Sequence, residues 1–238
     1  MHDLPLLLTE LARRIAEDDR GEPFARRLCR AAADLLGCEG GALTLGHGAD
    51  ARMTLAVTDS VAEALESAQE VVQQGPGTDA FTSSRYQRLV VGPDGGRDAR
   101  WPLLDLRHLI EDRPVVIHAV PVRQRASTVG VLTLWERERP TALDPESAEL
   151  VAGILAAALS ERLEQEDGAL VESWAERAEI HQAAGFVVAQ LGLPVDDALA
   201  LLRAQAYVRG TTMTQTARDV IQRRLTFREE PEDGIQAT

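Results

Sequence analysis

The stretch from Trp174 to Phe227, WAERAEIHQAAGFVVAQLGLPVDDALALLRAQAYVRGTTMTQTARDVIQRRLTF, constrains the chain most. It carries apolar stripes at helical spacing in three successive segments. The first is Ile180, Ala183, Ala184, Val187 and Leu191. The second is Val195, Ala198, Leu199, Leu202 and Ala206; the third is Met213, Ala217, Val220, Ile221 and Leu225. Gly192 and Pro194 end the first helix, because glycine accepts a left-handed cap and proline cannot continue a helix. Gly210 ends the second. Thr211, Thr212 or Thr214 supplies the cap of the third. Helices this short are marginal alone, so they are predicted to bury their stripes against one another.

The string Arg177-x-x-Ile180-x-Gln182-Ala183-x-Gly185, followed by Ala198-x-x-x-Leu202-Arg203-x-x-Ala206 and Ala217-x-x-Val220, resembles the ANTAR domain. The resemblance implies a three-helix RNA-binding module of bacterial transcription antiterminators. Such a module would bind a pair of short hairpins in a nascent transcript and block terminator formation. Many members carry lysine where this chain has Ala184.

Charge limits where RNA could bind. The formal net charge is −13, unevenly spread. Residues 1–167 hold 28 acids against 18 arginines, whereas residues 168–228 hold 6 acids against 7 arginines. Residues 229–238 add four acids and no base. An acidic chain repels phosphate, so nucleic-acid binding must be local, and only the C-terminal module escapes the repulsion. All 25 basic residues are arginine, and neither lysine nor asparagine occurs. Both missing types use A-rich codons, which points to a GC-rich bacterial genome.

Upstream, an amphipathic helix is expected over residues 4–19 and another from Pro23 to Leu36, stopped by Gly37. Strands follow at Gly41–Leu45 and Met53–Val57, then a helix capped by Asp59 or Ser60. Gly75 to Asp79 and Pro93 to Gly96 read as turns. Leu89–Val91 is a short strand, and a short helix is expected near Leu103 to Ile110. Val115–Val122 alternates in part, while Val129–Trp135 looks buried on both faces. Asp144 caps a long helix with Pro145 at its first position. This order predicts an antiparallel sheet with helices packed on one face. The strings Gln74-Gly-Pro-Gly-x-Asp79-Ala80, Arg100-Trp101-Pro102, Ala119-Val-Pro121-Val and Val129-Gly130-Val-Leu are similar to those of a GAF domain, as joined to ANTAR modules in actinobacteria. That resemblance implies a sensor or dimerisation module with an unidentified small-molecule or protein signal. The fold class is therefore α+β: a GAF-like sheet with flanking helices over 1–165, a three-helix module over 166–228, and an acidic tail over 229–238.

No catalytic set is found, so the chain is expected not to be an enzyme and to need no cofactor. The five histidines lack metal-ligand spacing, and there is no nucleophile elbow, P-loop or dinucleotide fingerprint. His108 and His118 are read as a ligand pair or as satisfied polar sites, and Trp101 as pocket lining or core. Cys29 and Cys38 are read as buried thiols. No 18-residue apolar run exists and no basic leader is seen, so no membrane partner and a cytoplasmic location are expected. The helix from Asp144 to Gln165 is rich in small residues, with Leu155, Leu159 and Leu163 on one edge; it is read as packing on the helix at 4–15 within one subunit and, compatibly, as joining that helix in a homodimer, which is expected. Candidate RNA contacts are Arg177, Gln182 and Gly185 in the first helix of the module. Arg203, Tyr207 and Arg209 follow in the second, with Thr212, Thr214, Gln215, Arg218 and Gln222 around the third. Gly185 is read either as tight helix packing or as backbone offered to RNA. Tyr207 is read either as a stacking candidate for an unpaired base or as partly buried in the core. Two rivals stand beside this. A DNA-binding regulator is disfavoured by the acidic chain and by Asp219 beside Arg218. A purely ligand-binding or protein-interaction module is the other.

Overall fold

The computed structural model describes residues 4–17, 21–46, 52–92, 98–109, 113–125, 127–137, 143–163, 171–230 and 234–237, with side chains at 161–177 and 228–237 outside the described part. The chain divides into two units, the first holding Met1–Gln69 and Gln73–Leu170 and the second Glu70–Val72 and Val171–Thr238. The expected turn at Pro93–Gly96 and the hinge at 164–168 lie outside the described residues.

In the first unit α1 spans Leu4–Glu17 and α2 spans Phe24–Leu36. Gly37 ends α2 in the left-handed region, φ 69°, and Cys38 N donates to Ala33 O at 2.8 Å. The alanines at 25, 31, 32 and 33 form most of the buried face of α2, letting it lie close to the sheet. β1 (Gly40–Gly46) and β2 (Arg52–Val57) pair antiparallel. Asp59 then caps α3 (Ser60–Val72), its Oδ1 accepting from Val61 N and Ala62 N at 2.9 Å each. The same carboxylate accepts from the Trp135 indole at 3.1 Å, so one side chain ties the helix start to the sheet.

The expected turn at Gly75–Asp79 is instead the start of a helix, α4 (Pro76–Ser83). Gly75 takes φ 141°, and Pro76 occupies the first helical position, where its fixed φ suits a helix and its missing N–H costs nothing. Gln69 Oε1 accepts from Gly77 N at 2.7 Å and holds that first turn. β3 (Gln87–Val91) follows; the helix expected near 103–110 is only a single turn, Arg107–Leu109. β4 (Val115–Gln124) and β5 (Ser127–Arg137) complete an antiparallel sheet of order β2-β1-β5-β4-β3. β4 is buried at every position from Val115 to Val122 rather than in alternation.

That burial has a cause, and it corrects the expectation of helices on one face only. α2, α1 and α5 (Pro145–Leu163) pack their apolar residues with Leu43, Val120, Val122, Leu132 and Leu134 on one face. Ala80 and Phe81 of α4 pack with Ala119 and Val131 on the other. Central strands covered twice read as continuous apolar runs. α5 begins as expected, Asp144 Oδ2 accepting from Ser147 N at 3.0 Å. Its Leu155 and Leu159 are buried in this unit's own core, which is the within-subunit packing expected of that edge and leaves those two leucines covered.

Polar side chains inside this unit are mostly satisfied. His118 is buried, with Nδ1 2.6 Å from the Tyr86 hydroxyl and Nε2 3.1 Å from Glu136 Oε1, whereas His108 is exposed. Burial pushes the Tyr86 phenol up to about 12. Trp101 is buried, its indole donating to Asp79 Oδ2 at 3.0 Å with the Arg100 guanidinium 4.1 Å from the ring centroid. Arg100 also donates to the Arg88 carbonyl of β3 at 3.0 Å. Glu66 is buried, accepts from Gln69 Nε2 at 3.3 Å, and is held above the usual carboxylate range chiefly by burial. Cys29 and Cys38 are buried free thiols.

The second unit holds α6 (Val171–Leu191), α7 (Val195–Arg209) and α8 (Met213–Ile221). The three expected stripes meet in one core that includes Ala183, Val187, Leu202, Ala206, Ala217 and Val220, but Val195 at the start of α7 is 50 % exposed and stands outside it. Gly192 and Gly210 stop α6 and α7 at φ 68° and 61°. Beyond them lies a hairpin absent from the sequence reading, β6 (Phe227–Glu230) with β7 (Gly234–Ala237), which takes up most of the expected tail. Gln190 of α6 accepts from Phe227 N at 2.8 Å and anchors it.

Candidate nucleic-acid interface

α6 buries Ala183, Ala184, Val187 and Leu191 and turns Gln182, Gly185 and Phe186 outward. A Cβ built at Gly185 would meet nothing within 4 Å. Helix packing therefore gives no reason for the glycine, and what it leaves at the surface is bare backbone. Ala184 is fully buried. A lysine there would have to run its stem out of the core before its charge reached water. Arg177 lies on α6, but its side chain is outside the described part.

α7 presents Tyr207, 48 % exposed, and the neighbouring Val208; Arg203 is half-buried and Arg209 exposed. Thr212 is the cap of α8, its hydroxyl accepting from Gln215 N at 3.0 Å. Thr211 bonds the buried Thr216 hydroxyl at 3.0 Å, and Thr214 is half-buried. Arg218 donates from Nε to Glu179 Oε2 at 2.8 Å and so bridges α8 to α6. Both members of that pair are substantially exposed, a setting in which ion pairs contribute about 0–1 kcal/mol. Gln222 is exposed and accepts from Arg224.

Two residues at this corner were not picked out as contacts from sequence, Asp219 and Arg224. Asp219 is only 6 % exposed. Its Oδ1 accepts from Arg224 at 2.7 and 3.0 Å and from Gln215 Nε2 at 3.1 Å. Its Oδ2 lies 3.2 Å from Arg209 Nη2. The Arg224 guanidinium foremost, then Gln215 and Arg209, hold this carboxyl below the ordinary carboxylate range. The signal was present in the sequence: an acid falls among the buried positions of α8 (Met213, Thr216, Ala217, Val220), and a buried acid requires cationic partners.

Taken together, Arg203, Arg209, Arg218 and Arg224 place guanidinium groups on α7, on α8 and just beyond it, and the exposed glycine lies on α6. Guanidinium donors match phosphate oxygens, and an exposed tyrosine suits base stacking. Among the described residues no three His, Cys, Asp or Glu side chains are placed to hold a metal ion. No single described helix is long and apolar enough to cross a membrane.

Residues 169–221 match the ANTAR domain. The matched stretch covers α6, α7 and α8 and stops before β6. No curated protein matches the chain. The solved structures similar to the chain include GAF domains. One is from an Acinetobacter phosphoenolpyruvate-protein phosphotransferase, at 14 % identity and TM-score 0.46, covering 71 % of this chain and 99 % of that one. Another is from the Coxiella burnetii phosphoenolpyruvate-protein phosphotransferase, at 14 % identity and TM-score 0.45, covering 68 % and 95 %. A third is the A. aeolicus nlh2 GAF domain in an inactive state, at 14 % identity and TM-score 0.43, covering 67 % and 99 %.

Proposed function

We propose that this chain is an RNA-binding regulator of transcription, a binding protein and not an enzyme. In it a GAF-like sensor unit governs an ANTAR module that grips paired hairpins in a nascent transcript and so prevents terminator formation. The observation that carries the proposal is the ANTAR match over residues 169–221. The guanidinium groups of Arg203, Arg209, Arg218 and Arg224 support it, because they gather on the one part of an acidic chain that does not repel phosphate. Affinity comes from arginine–phosphate contacts and sequence choice from bases splayed in the hairpin loops.

The sensor unit answers a small-molecule or protein signal, and the protein works in the cytoplasm, where transcripts emerge. A homodimer presents two modules to two hairpins and raises affinity through effective concentration. Leu6 and Leu8 of α1, 67 % and 42 % exposed, support that dimer in place of the leucines of α5. The full chain should select hairpins from an RNA pool with randomised loops, and the selected hairpin should outcompete duplex DNA of the same sequence. Placed upstream of a terminator in single-round transcription, it should confer read-through that depends on the protein. Recovery of no hairpin, or equal binding to the duplex DNA, defeats the proposal.

A further inference from the structure

Two guanidiniums share one buried carboxylate at the junction of α7 and α8. Arg209 is the last residue of α7, and Arg224 follows α8 by three positions. The backbone serves the same residue, since Arg224 N donates to Asp219 O at 2.8 Å across a left-handed Arg223 at φ 59°. Asp219 therefore fixes Arg224 by main chain and side chain together. A guanidinium has five N–H donors, and one carboxylate cannot take all of them from two guanidiniums. Charge is unbalanced as well: two cations meet one anion. The side chains of Arg209 and Arg224 remain 37 % and 56 % exposed, while that of Asp219 is 8 % exposed. The anion is thus inside and the surplus positive charge outside. A purely structural clip would need only one of the two arginines.

We propose that Asp219 is the positioning residue of a twin-arginine phosphate site, in which Arg209 and Arg224 together hold one backbone phosphate of the bound RNA. This rests on the RNA-binding reading above and adds to it a residue of the opposite charge. Asp219 holds the two cations side by side against their mutual repulsion and limits their rotamers before RNA arrives. Less side-chain entropy is then lost on binding.

Asp219→Asn separates this from simple electrostatics, because it removes a negative charge from the interface. Bulk charge alone makes the variant bind RNA more tightly. Loss of the positioned pair makes it bind more weakly. In the full chain, with circular dichroism confirming the fold, Asp219→Asn is expected to lower affinity for the selected hairpin about tenfold and to make the salt dependence shallower by about one unit. Arg224→Gln should weaken binding similarly. In a chain that carries both Arg209→Gln and Arg224→Gln, adding Asp219→Asn should weaken binding no further, since Asp219 acts through those two arginines. A folded Asp219→Asn that binds as tightly as the parent, or more tightly, overturns the proposal while leaving the RNA reading intact. A parent chain that binds no hairpin at all overturns both. Should Asp219→Asn fail to fold, unchanged affinity in both Arg209→Gln and Arg224→Gln overturns the proposal just as firmly.

Discussion

Single residues carry three expectations, each a gain in stability from a different cause. Gly185 sits mid-helix with open space around its missing Cβ, so Gly185→Ala should stabilise the ANTAR module by about 1 kcal/mol in urea unfolding. If its bare backbone faces RNA, the same change should weaken hairpin binding, and a stabler, weaker-binding protein would be the mark of that role. Arg223 is held at φ 59°, where any side chain is strained, and Arg223→Gly should gain roughly 0.5–1 kcal/mol by relieving it. Glu66 behaves differently because its effect depends on pH. Its folded-state carboxyl is raised above the ordinary value of 4.5, so the folded state binds the proton more tightly than the unfolded chain does. Its contribution to stability is therefore greatest below 4.5 and declines as pH rises through the folded value. Glu66→Gln, which keeps an oxygen acceptor for Gln69, should raise the thermal midpoint relative to the parent at neutral pH, and the gain should vanish on acidification. A gain that grows as pH falls would contradict the assignment.

At the scale of elements, closeness of strands is the critical quantity. A Cβ at Gly130 would come within 2.2 Å of the Thr44 carbonyl oxygen on the neighbouring strand. Backbone cannot swing aside as a flexible side chain can, so Gly130→Ala should destabilise the first unit by about 3 kcal/mol, read as a lowered urea midpoint. Elements whose cues are local were legible in the sequence. The stripes of α6, α7 and α8, the Asp59 and Asp144 caps and the Gly37, Gly192 and Gly210 stops all stand where spacing and capping chemistry placed them. Gly75-Pro76-Gly77 misled because glycine and proline break chains in general, whereas proline opening a helix depends on what the Gln69 side chain does eight residues away. The β6–β7 hairpin was missed because its residues are charged and lack alternation. The site was legible only in part. Arg203, Arg209 and Arg218 could be named but Arg224 could not, and Glu179 meets Arg218 across 39 residues, a pairing that only the folded bundle creates.

At the scale of the whole molecule, two separate cores predict two heat-absorption steps in calorimetry, one for each unit. The division also separates contact from avidity. A chain lacking residues 1–165 should still bind the selected hairpin, but more weakly than the full chain, since dimerisation is lost with the first unit. Equal affinity would show that two linked modules give no advantage, and light scattering giving the mass of one chain at micromolar concentration would remove the dimer itself. The outer strand β3 has one further consequence. An open sheet edge is a template onto which another molecule's strand can add, the first step of fibril growth. Here the Arg100 guanidinium occupies an outward carbonyl of that edge, and the exposed Arg88 brings charge to it. The bond that settles the Trp101 loop thus also blunts the sheet against runaway polymerisation, and Arg100→Ala should convert a clear, concentrated solution into one that scatters light and binds thioflavin.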